Sequence, residues 1–179
     1  MIYLTAGLVL VGAVTVLNLM LTLAVIRRLR RHESERQQPF GSLDSGPETG
    51  SALPGFTAVT VAGEPVSEES LKGRQAALTF LSTDCPACTM AVGDLPEFAR
   101  RTGMDAAQML VVIAGDAEDA REMAAPLADI ATVVVEETAG PLSTLYSIRA
   151  TPTTVMTDPD GTVTYAQAGT NPVLEGLPA

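Results

Sequence analysis

The stretch that decides how this chain folds is Ala76-Ala77-Leu78-Thr79-Phe80-Leu81-Ser82-Thr83-Asp84-Cys85-Pro86-Ala87-Cys88. Its first six residues are apolar on both alternating faces but for Thr79, the pattern of a strand covered on both sides of a sheet. Pro86 suits the first turn of a helix, where its missing N–H costs nothing. The only two cysteines in 179 residues therefore stand where a strand ends and a helix begins. Two intervening residues form one helical turn, which brings both sulfurs within reach of a short-range disulfide. That arrangement suits thiol–disulfide exchange.

Downstream, the helix is expected over residues 86–101, stopped by Gly103, and Met-Leu-Val-Val-Ile-Ala at 109–114 reads as a second buried strand. Residues 116–128 suit a helix whose early acids Asp116, Glu118 and Asp119 face its positive end, with Pro126 ending or kinking it. A strand at 132–136, a short helix at 141–146 and strands at 153–157 and 162–166 follow, the last two joined at Asp158-Pro159-Asp160-Gly161. A final short helix is expected at 172–177. Upstream, alternation predicts a strand at 56–61, a turn at Gly63-Glu64-Pro65 and a capped helical turn at 67–71 closed by Gly73. Alternating strands and helices ending in a hairpin make an α/β fold with a mixed central sheet flanked by helices.

Residues 2–26 carry no charged side chain, and such a helix would be about 37 Å long, enough to cross a hydrocarbon core of about 30 Å with tilt. No basic region precedes the run, while Arg27, Arg28, Arg30 and Arg31 follow it, so it reads as a retained transmembrane anchor in the lipid bilayer and not as a cleaved signal. Residues 27–53 form a basic juxtamembrane segment and a Ser-, Gly- and Pro-rich linker, read as a flexible tether with a reach of about 25 Å. Residues 54–179 are the size of one domain with one core. That domain has six bases against seventeen acids, a net charge of −11, which excludes nucleic acid as a partner.

A second landmark is Arg149-Ala150-Thr151-Pro152, immediately before a late strand. Together with Pro54-Gly55-Phe56, Glu64-Pro65-Val66, Leu71-Lys72-Gly73, Thr79-Phe80-Leu81-Ser82, Tyr146-Ser147-Ile148 and Asp160-Gly161, the Cys85-Pro86-Ala87-Cys88 motif makes residues 53–177 resemble the thioredoxin superfamily. Within it the chain is similar to the membrane-anchored TlpA-like disulfide oxidoreductases, above all the methylamine-utilisation (MauD-type) members. The resemblance implies a thioredoxin-like fold behind a single-pass anchor, protein thiol or disulfide clients, and a cis Thr151-Pro152 bond. Pro152 would then pack beside the dithiol and the Thr151 backbone would pair with the client.

Cys85, at the positive end of the helix, is the expected nucleophile, and Cys88, one turn in and more buried, is the expected resolving thiol. Asp84, Pro86 and Ala87 tune the helix start, with Asp84 pointing outward as a helix-start residue. A structural clip gains little from a loop this short. Zinc would need more ligands than two cysteines and His32, so no metal and no cofactor is expected. Met90 is expected to pack, and Pro96 to kink the long helix. A peroxiredoxin-like thiol peroxidase is the enzymatic alternative, although its Pro-x-x-x-Thr-x-x-Cys pattern is absent: Thr79 stands where the proline would, and Thr83 lies two residues before Cys85. A redox-inert scaffold for a membrane partner is the other. A tethered domain gains effective concentration for a membrane-embedded redox partner. The arginine cluster after the span favours a cytoplasmic domain, whereas the resemblance and the persistence of disulfides outside favour an extracytoplasmic one, and the reading leans outside. The motif leaves open whether the site oxidises or reduces.

Overall fold

A computed structural model of the chain describes residues 45–169. The expected span at 2–26, the tether up to residue 44 and the helix at 172–177 lie outside the described residues. Among the described residues no helix is long and apolar enough to cross a membrane.

Strand β3 (Ala76–Ser82) is the centre of a five-stranded sheet in the order β5-β4-β3-β6-β7, where β4 is Met109–Ala114, β5 Thr132–Glu136, β6 Thr153–Thr157 and β7 Val163–Ala168. β4 and β5 run parallel to β3 through crossover helices α1 (Pro86–Thr102) and α2 (Ala117–Ala124), while β6 lies antiparallel to β3 and pairs with β7 as a hairpin. The mixed sheet expected from the order of elements is therefore present. The period of two in β3 sorts its side chains between two cores. Ala76, Leu78 and Phe80 join Phe56, Leu71, Leu142 and Tyr146 on one face. Ala77 and Leu81 join Cys88, Leu95, Phe98, Ala120 and Leu127 on the other. Phe80 and Phe98 are at most 1% exposed, and burial of side chains this large contributes about 1.5–3 kcal/mol each.

Helix α1 runs unbroken through Pro96 and stops at Gly103, whose φ of 69° is the left-handed conformation that a glycine adopts without strain. The expected helix at 116–128 is shorter. Asp116 stands outside it as the cap, its carboxylate accepting from the amides of Glu118 (2.8 Å) and Asp119 (3.5 Å), and the chain tightens into a 3-10 turn at Ala125–Leu127 around Pro126. Helix α3 is a short segment, Pro141–Leu145.

Two upstream expectations are corrected. Residues 56–61 do not form one strand: β1 is Thr57–Val59, the amide of Gly63 donates to the Thr60 carbonyl (2.9 Å), and the chain doubles back into β2 (Pro65–Ser67), which pairs antiparallel with β1. Pro65, assigned to the turn, starts that strand at its outer edge, where a missing N–H is tolerated. Residues 45–53, assigned to the flexible tether, are docked on the domain. The Gly50 amide donates to the Val163 carbonyl (2.7 Å), the Val163 amide to the Ser51 carbonyl (2.8 Å) and the Leu53 amide to the Gly161 carbonyl (2.8 Å), and Ser45 is 3% exposed. Composition marked this stretch as unable to form a core of its own. It borrows the edge of the β6–β7 hairpin instead.

Candidate active site

Antiparallel pairing of β3 with β6 sets Phe80 opposite Thr153, so the residues leaving β3 and those entering β6 meet at one end of the sheet. Cys85 comes from the first loop and Thr151-Pro152 from the second. The Cys85 thiol donates to the Thr151 carbonyl at 3.3 Å, and the Thr151–Pro152 bond is cis, the state the resemblance implies. Pro152 is buried and Thr151 half-buried.

Cys85 is itself the cap of α1: its backbone is extended (φ −112°, ψ 105°), and its sulfur accepts the Cys88 amide at 3.2 Å. Asp84 therefore does not start the helix as expected. It lies exposed, its amide bonded to Ser82 Oγ at 3.4 Å, because the cap must aim an acceptor at an amide of the first turn and Cys85 does so. Pro86 and Ala87 occupy the first two helical positions and are exposed.

Cys88 differs from its partner in burial. It is fully buried at 0% exposure and takes the Ser82 amide at 3.4 Å. Burial, reinforced by the neighbouring Cys85 sulfur, pushes its thiol up to about 12 against the opposing Ser82 amide. Cys85 is half-buried, and both cysteines are free thiols. One cysteine is half-buried at the helix start, and the other waits protonated one turn in.

Three further residues shape the site. Thr83 ties the loop back to the sheet through its amide and the Ala114 carbonyl (3.1 Å). Gly115 (φ +146°) lies against it so closely that an added Cβ would overlap Thr83 Oγ1 and stand 2.9 Å from its Cγ2. A lone glycine between an apolar strand and a capping aspartate was the available signal for that contact. Ser45, on the far side of the Thr151 loop, had no signal in its Ser- and Gly-rich surroundings. Met90, expected to pack, is 68% exposed. At about 100° per residue it lies about 200° around the helix from Cys88, off the stripe of Cys88, Leu95 and Phe98 that faces the sheet. Among the described residues no group of three or more His, Cys, Asp or Glu could hold a metal ion.

A mixed sheet with a Cys-Pro-Ala-Cys helix start facing a cis-proline loop defines a thioredoxin-like domain. The chain belongs to the AhpC/TSA family, whose model matches residues 49–166. Solved structures share the fold. The thioredoxin domain of a thiol-disulfide oxidoreductase from Bacteroides vulgatus is 19% identical, with a TM-score of 0.57 over 67% of this chain and 88% of that one. A secreted Mycobacterium tuberculosis disulfide oxidoreductase homologous to Escherichia coli DsbE is 23% identical, with a TM-score of 0.56 over 68% of this chain and 92% of that one. An exposed lipoprotein thioredoxin from Streptococcus pneumoniae is 23% identical, with a TM-score of 0.52 over 65% of this chain and 90% of that one. No curated protein sequence matches the chain.

Proposed function

We propose that this chain is a membrane-tethered thiol–disulfide oxidoreductase of the TlpA-like, MauD-type group, which exchanges disulfides with protein clients through Cys85 and Cys88. The observation that carries the reading is the division between the two sulfurs: Cys85 half-buried at the helix start with a donor amide on it, Cys88 wholly buried and held protonated. In the reducing direction the Cys85 thiolate attacks one sulfur of a client disulfide, forming a mixed disulfide and expelling the other client sulfur as a thiolate that takes up a proton. Cys88 then loses its proton and attacks the Cys85 sulfur. The client leaves as a dithiol, and the two electrons it gained are those the Cys85–Cys88 pair gave up in forming its disulfide. The oxidising direction is the reverse, and both return the same atoms. When Cys85 gives up its proton, the Thr151 carbonyl loses its donor and becomes free to accept an amide of a client chain lying along the loop.

Purified full-length chain in detergent should cycle between dithiol and disulfide, and Cys88→Ser should accumulate mixed disulfides through Cys85. Equal trapping by Cys85→Ser, or no reducible bond, would defeat the assignment and favour the redox-inert scaffold.

The apolar residues 2–26 would hold the domain at the bilayer, near a membrane-embedded partner that renews its redox state. The extracytoplasmic side is favoured by the redox task and by likeness to proteins described as secreted and as an exposed lipoprotein. A membrane-impermeant thiol reagent should label Cys85 on intact cells, and labelling only after lysis would place the domain inside. Membership of the AhpC/TSA family supports a second reading, a thiol peroxidase. The buried second thiol and the missing Pro-x-x-x-Thr-x-x-Cys pattern weigh against it, and peroxide consumption no faster than that of a free thiol is the expected result.

A further inference from the structure

The loop that carries Thr151 is held from behind by two side chains, of which Ser45 alone takes its backbone amides. Ser45 Oγ accepts the amides of Arg149 (3.1 Å) and Ala150 (3.4 Å) and lies 2.9 Å from Thr153 Oγ1. Among the described residues no backbone carbonyl accepts from either amide. Thr153 Oγ1 donates to the Ala150 carbonyl at 2.7 Å, and its single proton is then used, so the Ser45 hydroxyl is the donor in the contact between the two oxygens. The Ala150 carbonyl lies 3.5 Å away. One serine thus fills both of its acceptor positions and its donor within this loop. Ser45 is 3% exposed, Thr153 is 0% exposed, and the two are separated by more than a hundred residues of chain. The Gly46 amide adds a bond to the Ser147 carbonyl at 3.4 Å.

We propose that Ser45 is a positioning residue for the dithiol site, its hydroxyl fixing the backbone of residues 149–151 and so the Thr151 carbonyl against which Cys85 is set. The inference rests on the exchange reaction proposed above. With Ser45 in place the loop presents one conformation to the Cys85 sulfur and to an arriving client. Without it, two amides in a half-buried loop lack an acceptor, and the loop must move to reach water. A small disulfide that touches only the Cys85 sulfur does not need the loop. An extended client that pairs with the Thr151 backbone does.

The test uses full-length chain in detergent as wild type, Ser45→Ala and Ser45→Thr, assayed against a disulfide-bonded peptide and a small aromatic disulfide. Loss of one neutral hydrogen bond's worth of order predicts that Ser45→Ala slows exchange with the peptide about fivefold, with the small disulfide unaffected. It also predicts faster hydrogen exchange at the Arg149 and Ala150 amides. Ser45→Thr, which keeps the hydroxyl, should restore both. Equal slowing with the two disulfides, no slowing with either, failure of Ser45→Thr to restore, or a Ser45→Ala chain that does not fold would each overturn the positioning role. Wild-type chain inert toward both disulfides would instead defeat the exchange reaction, and the hydrogen-exchange comparison would still decide whether Ser45 holds the loop.

Discussion

Two loops meet at Cys85, and they are built in opposite ways. The first, from Ser82 to Cys88, is closed mainly by its own residues: the Cys85 amide reaches the Ser82 carbonyl (3.3 Å), the Asp84 amide Ser82 Oγ, the Cys88 amide the Cys85 sulfur, and the Ser82 amide the Cys88 sulfur. The second, from Arg149 to Pro152, has the Arg149 and Ala150 amides held by Ser45, at the opposite end of the described chain, and only the Ala150 carbonyl held by a near neighbour, Thr153. A loop closed by near neighbours is specified by a short stretch of sequence, and its chemistry can be read there. A loop held from afar presents the same precision in space with no local trace of its cause.

The largest expected effect tests the first loop. Cys85→Ser should abolish exchange with every disulfide, whereas Cys88→Ser should leave the first attack intact and stop the second, so that mixed disulfides accumulate on non-reducing gels. If both variants are equally inactive and trap nothing, the two sulfurs do not divide the work as their burial indicates.

Next in size is Gly115→Ala, which asks whether the first loop is as self-sufficient as its bonds suggest. The substitution puts a Cβ into Thr83 and forces a non-glycine residue to φ +146°. Strain of that kind costs about 1–3 kcal/mol before the clash is counted. A lower denaturation midpoint together with slower alkylation of Cys85 is expected, and Thr83→Gly in the same chain should recover part of both. Recovery of neither would mean that the strand end, and not the loop, bears the strain.

The same contrast explains what was legible in the sequence. Strand β3, helix α1 and the positions of Cys85, Pro86 and Cys88 follow from an apolar run, a first-turn proline and one helical turn of spacing, all local causes. The strands at 109–114, 132–136 and 153–157 match their apolar runs for the same reason. β2 leaves no mark in the sequence because Pro65-Val66-Ser67 is too short to show a period and becomes a strand only by pairing with β1. Residues 45–53 have the composition of a tether, which cannot build a core, yet their backbone pairs with the β6–β7 hairpin. Asp84 looked like a capping residue by type. Cys85, a poor cap by type, holds that position because its sulfur is aimed at the Cys88 amide.

The burial of Cys88 gives a pH dependence with a definite sign. Its thiol keeps its proton in the folded dithiol up to about 12, while in the unfolded chain it ionises near 8.5. Below the unfolded value both states are protonated, and the contribution to stability is fully present. Between the two values the unfolded state binds fewer protons, so stability falls as pH rises, by at most about 1.4 kcal/mol per pH unit. Chemical denaturation of the reduced chain between about pH 8.5 and about pH 10, below the range where buried Tyr146 adds a slope of the same sign, should show this fall, and Cys88→Ser should remove it. A slope that survives the substitution would assign the alkaline loss to another group.

The smallest expected effect separates the two halves of the second loop's brace. Thr153→Val keeps the shape of a fully buried side chain and removes one hydroxyl, which donates to the Ala150 carbonyl and accepts from Ser45. The Ser45 hydroxyl, 3.5 Å from that same carbonyl, can turn to it, so one hydrogen bond is lost and no polar atom need be left alone. The cost should be about 1 kcal/mol in denaturant titration. Exchange with a peptide disulfide should stay near the wild-type rate, because the Arg149 and Ala150 amides keep their acceptor. Slowing as large as that of Ser45→Ala would show that the loop is fixed through its carbonyl by Thr153, a near neighbour. The second loop would then be closed locally like the first, and the difference between them would lie only in how many residues close each.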